Sequence, residues 1–227
     1  MGFLKGHWQL FALIALVFAL WPTPVILPLK ILTVFLHELS HGLAAILTGG
    51  SIVSLSISPE IGGLAVTRGG NRFVILNAGY LGSLVFGALI LLTALRTNAD
   101  KLLIAAFGIL MIAIAALYMR EMFALAFCLG TGALMLASAR YLPRDVNDLA
   151  LRLIGLTSVI YVPFDIFSDT IARSHLRSDA RLLSEDIGGP TVVWGALWLI
   201  LSLIVIGLCL RYALGRSSNL SFSRRSP

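Results

Sequence analysis

Charged residues are scarce in this chain, and the scarcity excludes most classes of soluble protein. Only 12% of its 227 residues are Asp, Glu, Lys or Arg, whereas about a quarter is usual in soluble domains. Hydrophobic residues make up 58%, and the mean hydropathy is +0.94. This balance indicates an integral membrane protein, with the lipid bilayer as its surroundings.

Acidic residues are fewer than basic ones, 11 against 17, which gives a net charge of +6. The basic residues lie mostly in short gaps between apolar runs and near the C-terminus, as at Arg211, Arg216, Arg224 and Arg225. Such placement suits anionic lipid headgroups and the positive-inside bias, so no nucleic-acid partner is expected.

Cysteine is nearly absent, which excludes a disulfide framework and a thiolate metal site. Cys128 and Cys209 both lie inside apolar runs, without CxxC spacing. The glycine pairs 49–50, 62–63 and 69–70 are not followed by the Lys-Ser or Lys-Thr of a phosphate-binding loop, so they are interpreted as turns.

Long apolar runs, by contrast, are abundant, and they predict six or seven membrane-spanning helices. Lys5 and the basic tail both favour the cytoplasmic side, so the chain is expected to cross the membrane an even number of times. One of the seven runs is therefore expected to be re-entrant or interfacial. The first run is followed by no small-residue cleavage site, so it is expected to be retained. The weakest run is interrupted by Arg152. The predicted runs are 8–27, 31–48, 73–95, 102–119, 121–139, 149–165 and 188–210.

One segment has the pattern of strands rather than helices. Within residues 51–58 serine alternates with Leu55 and Ile57, turn residues follow, and residues 64–67 form a second short β-type run. The predicted fold is therefore an all-α multi-pass membrane protein with a short β-hairpin. Because hairpin edges at membrane depth need a polar surrounding, we expect this one to line a cavity or site.

The stretch LHELSHG, residues 36–42, is unusual for its apolar surroundings. Between Trp8 and Pro59 only Lys30 and Glu38 carry a formal charge. A lone carboxylate beside two imidazoles in such a segment requires a partner or a function.

His37 and His41 are four residues apart, so on a helix they share one face and can bind a single Zn²⁺. Glu38 follows the first histidine and is placed to act as general base toward water, the arrangement of H-E-x-x-H zinc hydrolases. Zinc is therefore the predicted cofactor. The alternative is a non-enzymatic membrane transport or binding protein that uses the histidines as a proton relay or substrate contact.

The chain resembles the site-2-protease family of intramembrane zinc metalloproteases, in particular its bacterial M50B-like branch. The resemblance is carried by FLHELSHGLAAILTGG (35–50), NAGYLGSLVFG (77–87) and, more loosely, YVPFDIFSDTIARSHLRSDA (161–180). It implies a zinc metalloendopeptidase that cleaves membrane-anchored protein substrates and lies in a bacterial inner membrane. It also implies one integral-membrane domain over 1–227, with a catalytic core at about 30–180. The tail, 212–227, is expected to be disordered.

The family has an AGPLxN-like motif, which falls within residues 77–87 here and is altered. Ala78 and Gly79 keep its first two positions, but Tyr80 replaces the proline and Ser83 the asparagine. A zinc-binding relative without proteolytic activity is therefore a further alternative. Asn77 is a candidate for substrate positioning through its amide, and its structural alternative is the cap of a helix that starts near Ala78.

Two histidines leave a catalytic zinc site one protein ligand short. Asp165 is the expected third ligand, because twelve uncharged residues precede it and Pro163 can expose local backbone. The family also takes an aspartate from a later helix, although FDI stands here in place of its LDG triplet. Asp169, one helical turn on, is the main alternative, followed by Asp179 or His175. The structural alternative for Asp165 is a helix cap after Pro163 or an ion pair with Arg173 or Arg177.

Overall fold

Eight α-helices and one β-hairpin make up residues 2–175 and 177–219, which are the residues that the computed structural model describes. A 3₁₀ turn at Pro24–Ile26 precedes α2, and a π-helical turn at Phe167–Ala172 follows α6. The elements are α1 Phe3–Leu20, α2 Leu27–Leu47, β1 Ser51–Ile57, β2 Gly63–Arg68, α3 Arg72–Arg96, α4 Asp100–Tyr118, α5 Met122–Tyr141, α6 Arg144–Ile166, α7 Asp179–Asp186 and α8 Thr191–Ala213.

Seven of these helices are long and apolar enough to span a membrane, all except the eight-residue α7. The expected multi-pass helical fold is thereby confirmed. Its weakest predicted span is α6, where Arg152 interrupts the apolar run. Arg152 donates from Nε and Nη2 to the two carboxylate oxygens of Asp148, at 2.6 and 2.8 Å, and both side chains are buried. The interrupting charge is therefore paired inside the protein.

The two ends of the described chain meet. Residues 214–219, here called the C-terminal strap, run from the end of α8 to the start of α1. The Ser218 N–H donates to the Gly6 carbonyl at 3.0 Å, and Ser218 Oγ lies 2.9 Å from His7 Nδ1. A strap of six residues spans at most about 20 Å, less than the roughly 30 Å of a hydrocarbon core. The strap therefore keeps the end of α8 close to the start of α1, in keeping with the expectation that Lys5 and the basic tail share one side of the membrane.

The predicted hairpin is also confirmed. Strands β1 and β2 pair antiparallel, from Ser51 opposite Arg68 to Ile57 opposite Gly63, with an irregularity between Ile52 and Ser54. Ile52, Leu55 and Ile57 are buried in the main core together with residues of α2 and α4. The hairpin is thus anchored beside the helix that carries the histidines. Of the tail expected at 212–227, residues 212–219 contain the end of α8 and the C-terminal strap, and residues 220–227 lie outside the described residues.

Helix α3 packs against both α2 and α6, and small residues allow the close approach. A Cβ on Gly87 would lie 2.4 Å from Ser158 Cβ of α6, and a Cβ on Gly155 would lie 2.7 Å from the backbone nitrogen of Leu91. Larger side chains at these positions would push the helices apart. These two glycines therefore allow α3 and α6 to pack closely against each other.

Candidate metal centre

The two histidines of α2 lie one turn apart, as their spacing requires, with ring centroids 4.7 Å apart. His41 is buried, and its Nδ1 lies 2.7 Å from the carbonyl oxygen of Ile75 in α3. A carbonyl oxygen accepts, so Nδ1 donates to it, and Nε2 is the ring nitrogen that faces Asp179. A hydrogen bond of this kind fixes the orientation of a histidine that binds metal through its other nitrogen.

Asp179, the first residue of α7, completes a cluster with the two histidines. Its Oδ2 lies 3.1 Å from His37 Nε2 and 3.2 Å from His41 Nε2. One ligand atom from each of the three residues lies within 4.8 Å of the other two. Among the described residues this is the one group of three or more His, Cys, Asp or Glu side chains with metal-site spacing.

The position of Asp179 is set by the start of a helix. Ser178 caps α7, its hydroxyl accepting from the Arg181 N–H at 3.3 Å, and so fixes the residue that follows. Burial alone raises the pKa of the Asp179 carboxyl, but the adjacent His41 and His37 outweigh burial and hold that pKa below its usual range. Asp179 therefore presents an ionised oxygen to the histidines.

Glu38 is buried between the histidine helix and the hairpin. The backbone N–H of Ala65 in β2 points toward its carboxylate. Gly63 of the same strand lies against the carboxylate so closely that a Cβ there would fall 2.3 Å from Oε1. The hairpin therefore forms one wall of the centre, as expected from its place in the sequence.

Helix α3 forms a second wall. A Cβ on Gly79 would lie 2.5 Å from His37 Nε2 and 2.6 Å from His41 Cε1, so only glycine leaves both rings in place. The ring of Tyr80 meets the ring of His37 edge to face, with centroids 4.6 Å apart. The Tyr80 hydroxyl donates to Asp169 Oδ2 at 3.1 Å. Tyrosine in place of the expected proline thus supports a metal-site histidine from the side.

Asp165, the expected third ligand, does not join the cluster. Its carboxyl is hydrogen-bonded to the Tyr161 hydroxyl one turn earlier in α6. Asp169 does not join either, because Oδ2 accepts from Tyr80 and Oδ1 pairs with Arg173 at 2.5 Å. His175 is exposed in the loop before α7. Of the candidates named from the sequence, the structure brings Asp179 next to the two histidines and does not bring Asp165, Asp169 or His175 there.

Asn77 lies inside α3 and does not cap it. The helix begins at Arg72, and its cap is Asn71, whose side chain accepts from the Val74 N–H at 3.2 Å. The Asn77 amide donates to the Phe73 carbonyl at 2.8 Å and accepts from Trp198 Nε1 at 2.8 Å. Both ends of this amide are thereby occupied, one by a bond within α3 and the other by a bond that joins α3 to α8.

Comparison with known families agrees with the site. The family model described as Peptidase M50B-like matches residues 10–209. The chain belongs to this family. Its M50B-like membership suggests an intramembrane metalloprotease, and the seven apolar helices make it an integral membrane protein. No curated protein and no solved structure matches the chain.

Proposed function

We propose that this M50B-like protein is an intramembrane zinc metalloprotease that hydrolyses peptide bonds of membrane-anchored proteins, in the inner membrane of a bacterium. His37, His41 and Asp179 hold the metal, and Glu38 is the general base. The observation that carries the proposal is the convergence of these three ligand atoms beside Glu38, in a chain of a peptidase family.

The donor set and its spacing support zinc. Zinc bonds of about 2.0–2.2 Å in tetrahedral geometry place ligand atoms roughly 3.3–3.5 Å apart. The Asp179 oxygen lies 3.1 and 3.2 Å from the two histidine nitrogens. Two imidazoles and one carboxylate are also a usual set for a catalytic zinc, which leaves a fourth position open.

Bound zinc would polarise the scissile carbonyl and lower the pKa of water to about 7. Glu38 takes the proton from the attacking water and passes it to the leaving amine. The Ala65 N–H holds the carboxylate in place for both transfers, and burial by the hairpin keeps bulk water from it. Proton transfer thereby stays between Glu38 and the reacting groups.

The hairpin supports a substrate in extended form. Because the Ala65 N–H reaches Glu38 of α2, that N–H lies on the edge of β2 away from β1. The free edge of the sheet therefore faces the metal centre, where an unwound segment of a transmembrane substrate would add as a strand. A helical peptide bond is already hydrogen-bonded, so unwinding has to precede cleavage.

A second candidate is a zinc-binding relative without proteolytic activity. It is favoured by the occupied Asn77 amide, which already bonds Trp198 and Phe73. It is also favoured by Tyr80 at the position where the family motif has proline. Both candidates bind zinc, so turnover is what separates them.

Metal content tests the ligand set. Purified protein is expected to contain one zinc per chain, and His37→Ala, His41→Ala and Asp179→Ala each to lose it. Asp165→Ala is the matched control and should retain zinc, because its carboxyl bonds Tyr161. Zinc retained in Asp179→Ala and lost in Asp165→Ala would restore the assignment made from the sequence.

Cleavage tests the reaction. The substrate is a reporter anchored by one transmembrane helix that contains a helix-breaking Asn-Pro pair. Wild-type protein in liposomes should cleave it, whereas Glu38→Gln should lose cleavage by at least 100-fold while keeping zinc, because Glu38 carries protons and is not a ligand. Zinc binding without cleavage by the wild type would favour the inactive relative. If the wild-type protein contained no zinc, the result would favour a non-enzymatic membrane transport or binding protein.

A further inference from the structure

An open pocket lies at the opposite end of α3 from the metal centre. Arg96 follows Tyr80 by sixteen residues, about 24 Å along a helix. The pocket has a volume of about 690 Å³ and lies between the last turns of α3 and α8. Its lining includes Leu92, Thr93, Arg96, Leu208, Arg211 and Arg216.

The polar half of this pocket is positive throughout. Three arginines line it and no acidic residue does. Arg96 donates to the carbonyls of Tyr212 and Ala213, at 3.1 and 2.6 Å, and thereby caps the end of α8. Arg216 is close enough to Arg96 for the two positive charges to repel each other. An anion bound here would relieve that repulsion.

Two of the arginines are free to bind such an anion. In residues 2–175 and 177–219, the side chains of Arg211 and Arg216 have no hydrogen bond or ion pair. The hydroxyl of Thr93 likewise has no hydrogen-bond partner within those ranges. Arginine donors at such spacing suit the oxygens of a phosphate group, which they bind through paired N–H bonds.

The other half of the pocket is apolar. Leu92 and Leu208 lie one turn before the arginines, toward the middle of each apolar helix. The pocket therefore has its cations at the level of lipid headgroups and its leucines at the level of acyl chains. A free phosphate ion would leave the apolar half unused.

We propose that this pocket binds an anionic phospholipid, with the phosphodiester on Arg211 and Arg216 and an acyl chain along Leu92 and Leu208. Phosphatidylglycerol has the required net charge of −1, whereas a zwitterionic lipid brings a cation toward three arginines. This inference concerns a separate site and does not depend on the proposed peptidase activity.

Native mass spectrometry of the full-length protein tests the proposal, with phosphatidylglycerol or phosphatidylcholine added at equal concentration in detergent. Wild-type protein should retain phosphatidylglycerol at least fivefold better than phosphatidylcholine. The double variant Arg211→Gln, Arg216→Gln should lose that preference. The control variant Lys101→Gln, Arg140→Gln loses the same charge at exposed positions outside the pocket and should keep it.

If both double variants lost the preference for phosphatidylglycerol equally, the effect would be one of general charge, and the proposed site would be wrong. Full displacement of the lipid by soluble glycerol 3-phosphate at equal concentration would also overturn the proposal, because the acyl chain would then contribute nothing to binding. A second experiment tests the site with the arginines left in place. Leu208→Trp in liposomes should be quenched at least twofold more by bromine-labelled phosphatidylglycerol than by bromine-labelled phosphatidylcholine, and equal quenching would contradict the proposal.

Discussion

Gly79 is the residue at which the smallest change should disable the metal centre. A methyl group at this position would lie 2.5 Å from His37 Nε2, the nitrogen that faces Asp179. Gly79→Ala should therefore displace the ring and reduce bound zinc at least tenfold, measured by metal analysis of purified protein. The helix itself should tolerate the change, because alanine is a better helix former than glycine.

Gly130 of α5 is the matched control for this prediction. It also lies inside a spanning helix, and a Cβ there would meet nothing within 4 Å. Gly130→Ala should keep full zinc occupancy and normal thermal stability. Equal zinc retention by both alanine variants would show that a methyl group at position 79 does not displace the histidine rings, and it would contradict the prediction.

The hairpin is the element whose free edge should matter for substrate. Ala65 presents its N–H on that edge, so by the two-residue period of a strand Thr67 presents its N–H there too. Thr67→Pro removes this donor, and it should reduce cleavage of the anchored reporter about tenfold while zinc content stays normal. The measurement is the initial rate of reporter cleavage in liposomes.

Thr67→Val is the control, because it preserves the backbone donor and the shape of the side chain. It should cleave at close to the wild-type rate. Cleavage by Thr67→Pro at the rate of Thr67→Val would mean that substrate does not add to this edge as a strand.

Elements whose signal is local could be predicted from the sequence, and contacts between distant elements could not. The spacing of His37, Glu38 and His41 lies within two turns of one helix, and the seven apolar runs and the hairpin are equally local. Asp179 lies in a polar stretch rich in arginine, where an acid is normally solvated. Its signal was the pair Ser178-Asp179 before Leu182 and Leu183, a capped amphipathic helix start. Such a signal predicts α7 but not the fold-back that brings it to α2.

Asn77 shows a different limit of prediction from the sequence. Asparagine at the start of a helix is a good cap, and its sequence position alone favoured that interpretation. The helix starts one and a half turns earlier, however, since Asn71 is the residue that caps it. What then decides the role of Asn77 is Trp198, 121 residues away along the chain. Only the packing of α3 on α8 supplies that partner.

At the scale of the whole molecule, the C-terminal strap joins three parts of the chain. Ser218 contacts His7 of α1 and accepts through its carbonyl from Arg152 of α6, and Asn219 donates to the Lys5 carbonyl at 2.7 Å. Truncation after Ala213 leaves His7 and Arg152 buried without these partners, at a cost of about 1–3 kcal/mol for each. The unfolding temperature should fall by several degrees, measured by tryptophan fluorescence in detergent.

A truncation after Asn219 keeps the strap and should unfold at the wild-type temperature. The two truncations share the loss of residues 220–227, so their difference reports residues 214–219 alone. Equal unfolding temperatures for both would show that the strap contributes no stability.

The distance along the chain between the proposed ligands also sets when the proposed metal centre can form during synthesis. Asp179 follows His37 by 142 residues. At about 5–20 residues per second, the ribosome adds that length in roughly 7–28 seconds. Throughout that interval α2 is already in the membrane with two of its three ligands, beside the insertion machinery and its own emerging helices. On the proposed function, a metal centre that is completed last in this way leaves the protein unable to cleave its surroundings while it is being translated.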